Sequence, residues 1–278
     1  MPFRLHRMLL LPLLAVAVVY VTILGYVYFF QNRFVYYPTD DFAVLPAQVG
    51  LVCEDVWIDV TPTEKINGWY IGGWPDKRTV LFLHGNGGNI GHRLPHLQFL
   101  QSLGVSVLII DYRGYGRSKG KPSEENFYAD ASASYQWLIS TKEVGPDRII
   151  LFGESIGGAV AADLAATSPC AGLILESSFT SIRDMARRVF PFLPTGLLLR
   201  SEYNTLEKLD RLTCPVLVTH SPEDEIVPFD MGEKLYAAAK PPKRFVQLHG
   251  THNDRDYLDQ PDYRQAVEAF LGDPAGTR

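Results

Sequence analysis

One segment near the start of the chain is apolar throughout, without the regularly spaced polar positions of a surface helix or strand. It runs from Met8 to Phe30 without a charged residue. At about 1.5 Å of helical rise per residue, this length is enough to cross a hydrocarbon core of about 30 Å. Aromatic residues gather at its far end, as is typical of a membrane interface. We therefore predict that residues 1–32 form an N-terminal transmembrane anchor.

A cleaved signal peptide is the alternative for this segment. The apolar core of a signal peptide is usually about 7–15 residues long and is followed by a small-x-small cleavage site. No such site follows Phe30, which favours a retained anchor. Arg4 and Arg7 precede the span and Arg33 follows it, so the positive-inside rule favours a cytoplasmic N-terminus. The remainder of the chain is then expected on the non-cytoplasmic side.

After the anchor, the unbroken apolar segment gives way to runs in which apolar and polar residues alternate. The runs Val56–Val60 and Ile66–Ile71 alternate as an antiparallel entry pair of strands would. Helical stretches at 124–139, with Ser123 as cap, and 229–239 then separate further strands. Those strands begin at Val80, Val105, Ile149, Leu173, Val216 and Phe245. The pattern predicts an α/β domain over 33–278, with a mostly parallel sheet flanked by helices.

A serine lies at one strand-to-helix turn of this pattern. Gly153-Glu154-Ser155-Ile156-Gly157-Gly158 follows the apolar run from Ile149 and precedes an alanine-rich helical stretch. In a nucleophile elbow the turn is so tight that the residues two before and two after the nucleophile must be small. Gly153 and Gly157 meet this demand, so Ser155 is the candidate nucleophile. The alternative is a glycine-rich turn that only packs helix on sheet.

A second glycine-rich turn follows the strand from Val80. It reads His84-Gly85-Asn86-Gly87-Gly88-Asn89, and such a turn lets the backbone approach a ligand closely. The N–H groups of Asn86 and Ile156 are the candidates for an oxyanion hole. His84 is expected to hold the loop by hydrogen bonding and not to act as a base. An ordinary glycine turn is the alternative.

Candidates for an acid and a base lie after the last two strands. Glu223, Asp224 and Glu225 crowd the loop after the strand from Val216, at the sheet edge where an α/β architecture presents its catalytic acid. Asp224 is preferred among them. His252 is preferred to His249 as the base, because His249 directly abuts its strand and a base must reach the serine from a loop.

The chain order Ser155, Asp224, His252 is that of the α/β hydrolases. With the turns above, the segments Asp111 to Ser118, Val227-Pro228 and Gly250 to Asp254 make the chain similar to this superfamily. It most closely resembles the membrane-anchored ABHD lipid hydrolases and depalmitoylating thioesterases. The resemblance implies Ser155 as nucleophile, Asp224 as the acid that orients the base, His252 as base, and Asn86 and Ile156 as oxyanion donors. Glu154 departs from the most familiar form of the elbow.

Residues 177–213 do not fit the strand–helix alternation. This segment contains the apolar stretch from Val189 to Leu199 and lies where α/β hydrolases place their lid. A small apolar lid is therefore expected, with Phe192 and Leu198 as candidate contacts for an acyl chain. A helix pair that packs on the core is the alternative.

Composition narrows the classes of function. A net charge of −5 and the absence of a basic patch with interleaved aromatic residues argue against nucleic-acid binding. Cys53, Cys170 and Cys214 are too widely spaced for a C-x-x-C motif and are expected to be free thiols. His92 and His96 are expected to be a surface pair and not metal ligands, since Pro95 lies between them.

The sequence as a whole predicts a membrane-anchored serine hydrolase. It would cleave esters or thioesters of small-molecule or lipid acyl substrates through an acyl-enzyme, with no metal or organic cofactor. A serine peptidase of the aminopeptidase kind is one alternative. A non-catalytic, membrane-bound binding protein on the same fold is the other.

Overall fold

The computed structural model describes residues 2–74 and 77–276 of the chain. The strands are β1 (Tyr37–Pro38), β2 (Glu54–Asp59), β3 (Lys65–Ile71), β4 (Thr79–Leu83), β5 (Gly87–Gly88), β6 (Ser106–Ile110), β7 (Ile149–Glu154), β8 (Gly172–Glu176), β9 (Val216–His220) and β10 (Lys243–Gln247). The helices are α1 (Pro2–Phe30), α2 (Asn32–Val35), α3 (Leu94–Ser102), α4 (Glu124–Ser140), α5 (Ile156–Thr167), α6 (Ile182–Val189), α7 (Thr195–Leu198), α8 (Thr205–Leu209), α9 (Phe229–Ala238) and α10 (Pro261–Gly272).

Within the described residues, eight strands form one sheet in the order β10-β9-β8-β7-β4-β6-β3-β2. The predicted entry pair is antiparallel, with Val56 opposite Gly68, and β3 is also antiparallel to β6. All other neighbours in the sheet are parallel. The predicted α/β architecture with a mostly parallel sheet is therefore confirmed.

The two faces of the sheet are covered by different helices, which explains why the central strands are mostly apolar and buried on both faces. Leu81 and Leu151 point to the face covered by α4, α5, α8 and α9. Phe82 and Phe152 point to the opposite face, covered by α3 and α10. Every residue of β4, β6, β7, β8 and β9 is buried.

The strand order reverses at β4. From β4 the chain passes to β6 on one side, and later to β7 on the other side. In open α/β sheets a ligand binds in the crevice at the carboxyl ends of the strands at such a switch point. Leu83 at the end of β4 lies opposite Gly153 in β7, so the loops after these two strands meet at this crevice.

The predicted apolar N-terminal helix is present as α1. Over Leu11–Phe30 it is the only helix among the described residues that is long and apolar enough to cross a membrane. Its side chains in this stretch are almost all exposed. Its location in a membrane stays a prediction.

The segment 177–213 lies between β8 and β9 and contains α6, α7 and α8. Helix α8 packs on α5 and α9, and its Leu209 is fully buried. Helix α7 packs beside α1 and leaves Leu197 84% exposed. The segment therefore has one part that belongs to the core and one that faces α1.

Candidate active site

Ser155 occupies the turn between β7 and α5 in a strained backbone conformation. Its φ is +53° and its ψ is −118°, a region that costs a residue with a side chain about 1–3 kcal/mol. Two hydrogen bonds hold it there. Ser155 N–H donates to the Glu176 carbonyl over 2.8 Å, and Ser178 Oγ donates to the Ser155 carbonyl over 2.9 Å. The turn has the sharp strand-to-helix form that the sequence predicted.

The glycines of this turn are required by close approach. A Cβ on Gly153 would lie 2.4 Å from the Gly157 carbonyl oxygen, and a Cβ on Gly157 would lie 1.9 Å from the Leu83 oxygen. The second contact presses the start of α5 against the end of β4. As a result, Ser155 lies beside the loop that follows β4, where a Cβ on Gly85 would be 3.5 Å from the Ser155 Cβ.

Asp224 and His252 are hydrogen bonded to one another. His252 Nδ1 lies 2.7 Å from Asp224 Oδ2. The other carboxylate oxygen of Asp224 accepts the N–H groups of Ile226, over 2.9 Å, and Val227, over 2.7 Å. Because the carboxylate is an acceptor, Nδ1 carries the proton, and the lone pair of the imidazole lies on Nε2. This is the tautomer that a general base requires.

His249 has a different environment. Its side chain is 65% exposed, and Nδ1 is 3.7 Å from Glu223. The flanking acids fix the backbone of the histidine loop: Glu225 accepts the N–H of His252 over 3.0 Å, and Glu223 accepts the N–H of Gly250. Sequence reasoning missed this role of the two glutamates.

Ser155 is not hydrogen bonded to His252 in the part of the chain that the structure describes. Its hydroxyl makes no hydrogen bond to any of these residues, although it is not sealed from solvent. Serine–histidine contacts are often long without a substrate and tighten when one binds. The structure therefore joins Asp224 and His252, the candidate acid and base, directly, and holds Ser155 at the same edge of the sheet.

The peptide between Gly85 and Asn86 has a fixed orientation. His84 Nδ1 lies 2.7 Å from the Gly85 carbonyl, and the N–H of Asn86 must point the opposite way because the peptide is planar and trans. The Asn86 carbonyl accepts Tyr37 N–H and Tyr115 hydroxyl, over 3.0 Å and 2.7 Å. The hydrogen bond predicted for His84 is present.

Burial lowers the pKa of His84 to about 3, with Arg93 adding to the effect, so its imidazole is neutral.

The other candidate donor, Ile156 N–H, belongs to the first turn of α5. N–H groups there lack partners within the helix and lie at the positive end of its dipole. The two N–H groups remain candidates for stabilising an oxyanion.

Glu154, the departure noted in the sequence, is clamped between two arginines. Arg93 Nε donates to Oε2 over 2.5 Å, and Arg255 Nη2 donates to Oε1 over 3.0 Å. Burial alone would raise the pKa of this carboxyl, but the two guanidinium groups hold it below its usual range. The clamp connects the elbow to α3 and to the histidine loop.

A second buried polar cluster surrounds Glu176. Its carboxylate accepts from Tyr257, over 2.8 Å, and Tyr263, over 2.5 Å, and lies 2.9 Å from His96 Nε2. The expectation that His92 and His96 form a surface pair was wrong for His96, which is fully buried. The His96 ring lies inside the protein because it pairs with the buried carboxylate of Glu176 at the end of β8.

The loop after β6 is held by ion pairs. Arg113 binds Asp130 over 2.7 Å and Glu64 over 2.9 Å, and Arg117 lies 3.2 Å from Asp55. Asp111 accepts the N–H of Ile90 over 2.9 Å. Burial raises the pKa of Asp111 to about 7.

The three cysteines are free and half-buried.

The two predicted acyl contacts both lie against α1. The Phe192 carbonyl accepts the Tyr20 hydroxyl over 2.9 Å, and the Leu198 carbonyl accepts Gln31 Nε2 over 3.2 Å. Phe192 is 88% exposed, whereas Leu198 is 9% exposed. A role for either side chain in substrate binding stays a prediction.

Comparison with known proteins gives relatives over almost the whole chain. The family described as the alpha/beta hydrolase fold matches residues 78–200. An uncharacterized protein of Mycobacterium tuberculosis is 37% identical over 278 residues, 98% of each chain. The alpha/beta hydrolase domain-containing protein WAV2 of Arabidopsis thaliana is 34% identical over 252 residues, 81% of this chain and 82% of that protein.

Among solved structures, an esterase of Pyrococcus furiosus superposes with a TM-score of 0.69 at 21% identity. It covers 85% of this chain and 98% of its own. At this identity, the likeness concerns the fold.

Proposed function

The chain belongs to the α/β-hydrolase family, and we propose that it is a membrane-anchored serine hydrolase that cleaves carboxylic esters or thioesters. The observation that carries the proposal is the strained conformation of Ser155, with φ at +53° at the end of a parallel strand. A turn that only packed a helix on a sheet would not need a non-glycine residue there. Strain of this kind is typical of functional sites.

The reaction begins at Ser155. His252 Nε2 takes the hydroxyl proton as Oγ attacks the substrate carbonyl, and a tetrahedral oxyanion forms. The histidine then gives the proton to the leaving alcohol or thiol, and the acyl group remains on Oγ. Water enters, loses a proton to His252 and attacks the acyl-enzyme. Collapse of the second oxyanion returns the proton to Ser155 and releases a carboxylic acid.

Two features of the site support this sequence of steps. Asp224 is fully buried at its side chain and keeps both oxygens engaged, so it can stabilise the imidazolium without a change of geometry. The fixed Gly85–Asn86 peptide and the start of α5 offer N–H groups for the oxyanion. The loss of one such donor costs about 2.7–4 kcal/mol in related chemistry.

An apolar acyl group is the substrate class that the chain favours. The apolar residues of segment 177–213 and the long apolar helix α1 would keep the enzyme near lipid-like substrates. A peptidase and a non-catalytic binding protein are separated from this proposal by experiment.

The test is labelling of the full chain with a fluorophosphonate probe, followed by a panel of acyl p-nitrophenyl esters, acyl thioesters and peptide amides. We expect labelling and ester or thioester turnover that Ser155→Ala abolishes and Ser140→Ala leaves intact. Ser140 is an exposed serine at the end of α4 and serves as the matched control. Labelling with turnover of peptides alone would favour a peptidase. Absence of labelling in a folded protein would reject the catalytic proposal.

A further inference from the structure

An uncharged stretch of the insertion leaves large apolar side chains exposed. No residue of 189–199 is charged, and we call this stretch the tip. Phe192 and Leu197 are 88% and 84% exposed, and Val189 is 62% exposed. Apolar side chains clustered in this way on a soluble surface are unfavourable unless something covers them.

The tip runs along the C-terminal half of α1. Tyr20 donates to the Phe192 carbonyl over 2.9 Å. Gln31, the residue directly after α1, donates to the Leu198 carbonyl over 3.2 Å and accepts Arg200 N–H over 2.8 Å. The tip is thus fastened to α1 at two levels.

These two levels give the depth of the tip relative to α1. Tyr20 lies ten residues before Phe30, the end of the apolar stretch, which is about 15 Å along a helix. This distance is half of a hydrocarbon core of about 30 Å. If α1 crosses a bilayer with Phe30 at the interface, Phe192 lies close to mid-depth.

The backbone of the tip is suited to such an environment. Unpaired N–H groups are very costly in hydrocarbon, where no water can satisfy them. Most N–H groups of the tip have partners close by in the sequence. These are the bonds from Phe190 to Ala186, Leu193 to Phe190, Thr195 to Leu193, Leu197 to Pro194 and Leu199 to Thr195. Pro191 and Pro194 have no N–H to satisfy.

Arginines bracket the tip at both ends. Arg187 and Arg188 precede it and Arg200 follows it, all of them exposed, and Arg33 is exposed just beyond α1. We call these four arginines the arginine collar. Arg187 lies 3.7 Å from Asp184 and Arg188 is paired with Asp230, whereas the guanidinium groups of Arg33 and Arg200 lie over aromatic rings of the anchor. Guanidinium groups beside an apolar wedge are typical of surfaces that enter a bilayer between anionic headgroups.

We propose that the tip inserts into the bilayer that α1 crosses, packed beside α1, with the arginine collar at anionic phospholipid headgroups. The proposal rests on the membrane-anchored part of the proposed function and not on its chemistry. The two elements then form one membrane-embedded unit, and the hydrolase domain is fixed against the bilayer at two points.

The experiment places a tryptophan in the tip of the full chain. Phe192→Trp and Leu197→Trp are reconstituted in vesicles of phosphatidylcholine and phosphatidylglycerol that carry brominated acyl chains. Val52→Trp is the matched control, since Val52 is 85% exposed and precedes β2, five strands from β8. The four native tryptophans give a background common to all variants.

We expect the two tip variants to lose roughly half or more of their added fluorescence when bromines lie at mid-depth. Val52→Trp should lose almost none. Quenching that stays at the Val52 level in both tip variants, while carbonate fails to extract the chain, would overturn the insertion but leave the anchor intact. The same would hold if tip fluorescence changed with the protein-to-lipid ratio and not with bromination, because a second copy would then cover the tip.

A second measurement tests the collar. The tip tryptophan is measured with and without the double change Arg187→Gln and Arg200→Gln, each in vesicles with and without phosphatidylglycerol. In vesicles with phosphatidylglycerol, the double change should reduce quenching to the level that the protein with both arginines shows in phosphatidylcholine alone. Equal quenching in all four combinations would reject the role of anionic headgroups. Extraction of the chain by carbonate would reject anchor and insertion together, whereas fluorophosphonate labelling would still report on the hydrolase chemistry.

Discussion

Arg255 donates a hydrogen bond from Nη2 to Oε1 of Glu154 over 3.0 Å. Glu154 directly precedes the candidate nucleophile, and Arg255 follows the candidate base His252 by three residues. Arg93 closes the arrangement from the loop on the other side, at 2.5 Å. A single buried carboxylate thus connects the three loops that would have to stay in register during catalysis.

Replacing Glu154 by Gln should weaken both the fold and the reaction. The amide keeps the shape of the side chain but leaves the two guanidinium groups without a countercharge. Removing one partner of a buried ion pair costs about 3 kcal/mol or more. Small displacements of a loop can cost up to about 100-fold in rate. We expect a lower unfolding midpoint, and kcat for a short ester at least about tenfold lower while the protein is still folded by circular dichroism.

Glu268→Gln provides the control for this change, because Glu268 is exposed on α10. It should leave both quantities as they are. A Glu154→Gln protein with unchanged kcat would show that the clamp serves stability alone.

The acid and the base can be tested against their neighbours. Asp224→Asn should lower kcat by about 10⁴-fold, because the amide would favour the wrong imidazole tautomer. His252→Ala should have an effect of similar size. Turnover of a p-nitrophenyl ester measures both, with fluorophosphonate labelling as a second readout.

His249→Ala is the matched control, since the His249 side chain is 65% exposed and its Nδ1 lies 3.7 Å from Glu223. It should change kcat by less than about tenfold. A severe loss of kcat in His249→Ala together with a mild loss in His252→Ala would show that His249, and not His252, is the base.

The parts of the site that the sequence predicted are local. The elbow depends on residues two positions either side of Ser155, and the 2.4 Å and 1.9 Å approaches at Gly153 and Gly157 show why glycine is needed. The acid and base candidates could be located because each follows an apolar strand. Strand periodicity predicted the sheet in the same way, because the apolar pattern of each strand is contained within a few consecutive residues.

The parts that the sequence did not predict depend on distant partners. Glu154 meets Arg93 and Arg255, which are 61 and 101 residues away. His96 was expected at the surface because spacing along the chain says nothing about the carboxylate of Glu176, which lies 80 residues later. Buried polar clusters of this kind carry no local pattern, since every member comes from a different element.

The close approach of α5 to β4 predicts a steric effect. In Gly157→Ala the new methyl group would overlap the Leu83 carbonyl, and backbone on both sides cannot move without disturbing Ser155. We expect a severe loss of soluble, folded protein or, if it folds, loss of ester turnover. Gly272→Ala, at a position where a Cβ meets nothing within 4 Å, should be neutral. Normal turnover in Gly157→Ala would show that the elbow has more freedom than this contact allows.

Asp111 predicts a particular dependence of stability on pH. Burial raises its folded-state pKa to about 7, whereas an unfolded aspartate titrates near about 3.9. Between these values the folded protein holds a proton that the unfolded chain has released. The free energy of unfolding therefore falls as pH rises from about 4 to about 7, by at most about 1.4 kcal/mol per unit. Above about 7 this loss is complete.

Asp111→Asn removes that titration, while the amide oxygen can still accept the N–H of Ile90. We expect the variant to gain stability relative to wild type as pH rises from 4 to 7, and to keep a constant difference above that. His84, whose pKa is lowered by burial, makes the fold lose stability as pH falls below about 6.5. Because His84 Nε2 lies 3.6 Å from Asp111 Oδ1, the two proteins are also compared in a His84→Asn background, where that titration is absent. Denaturation midpoints of the two proteins, measured from pH 5 to pH 9, give the test. A difference that does not change with pH would mean that Asp111 is ionised in the fold throughout this range.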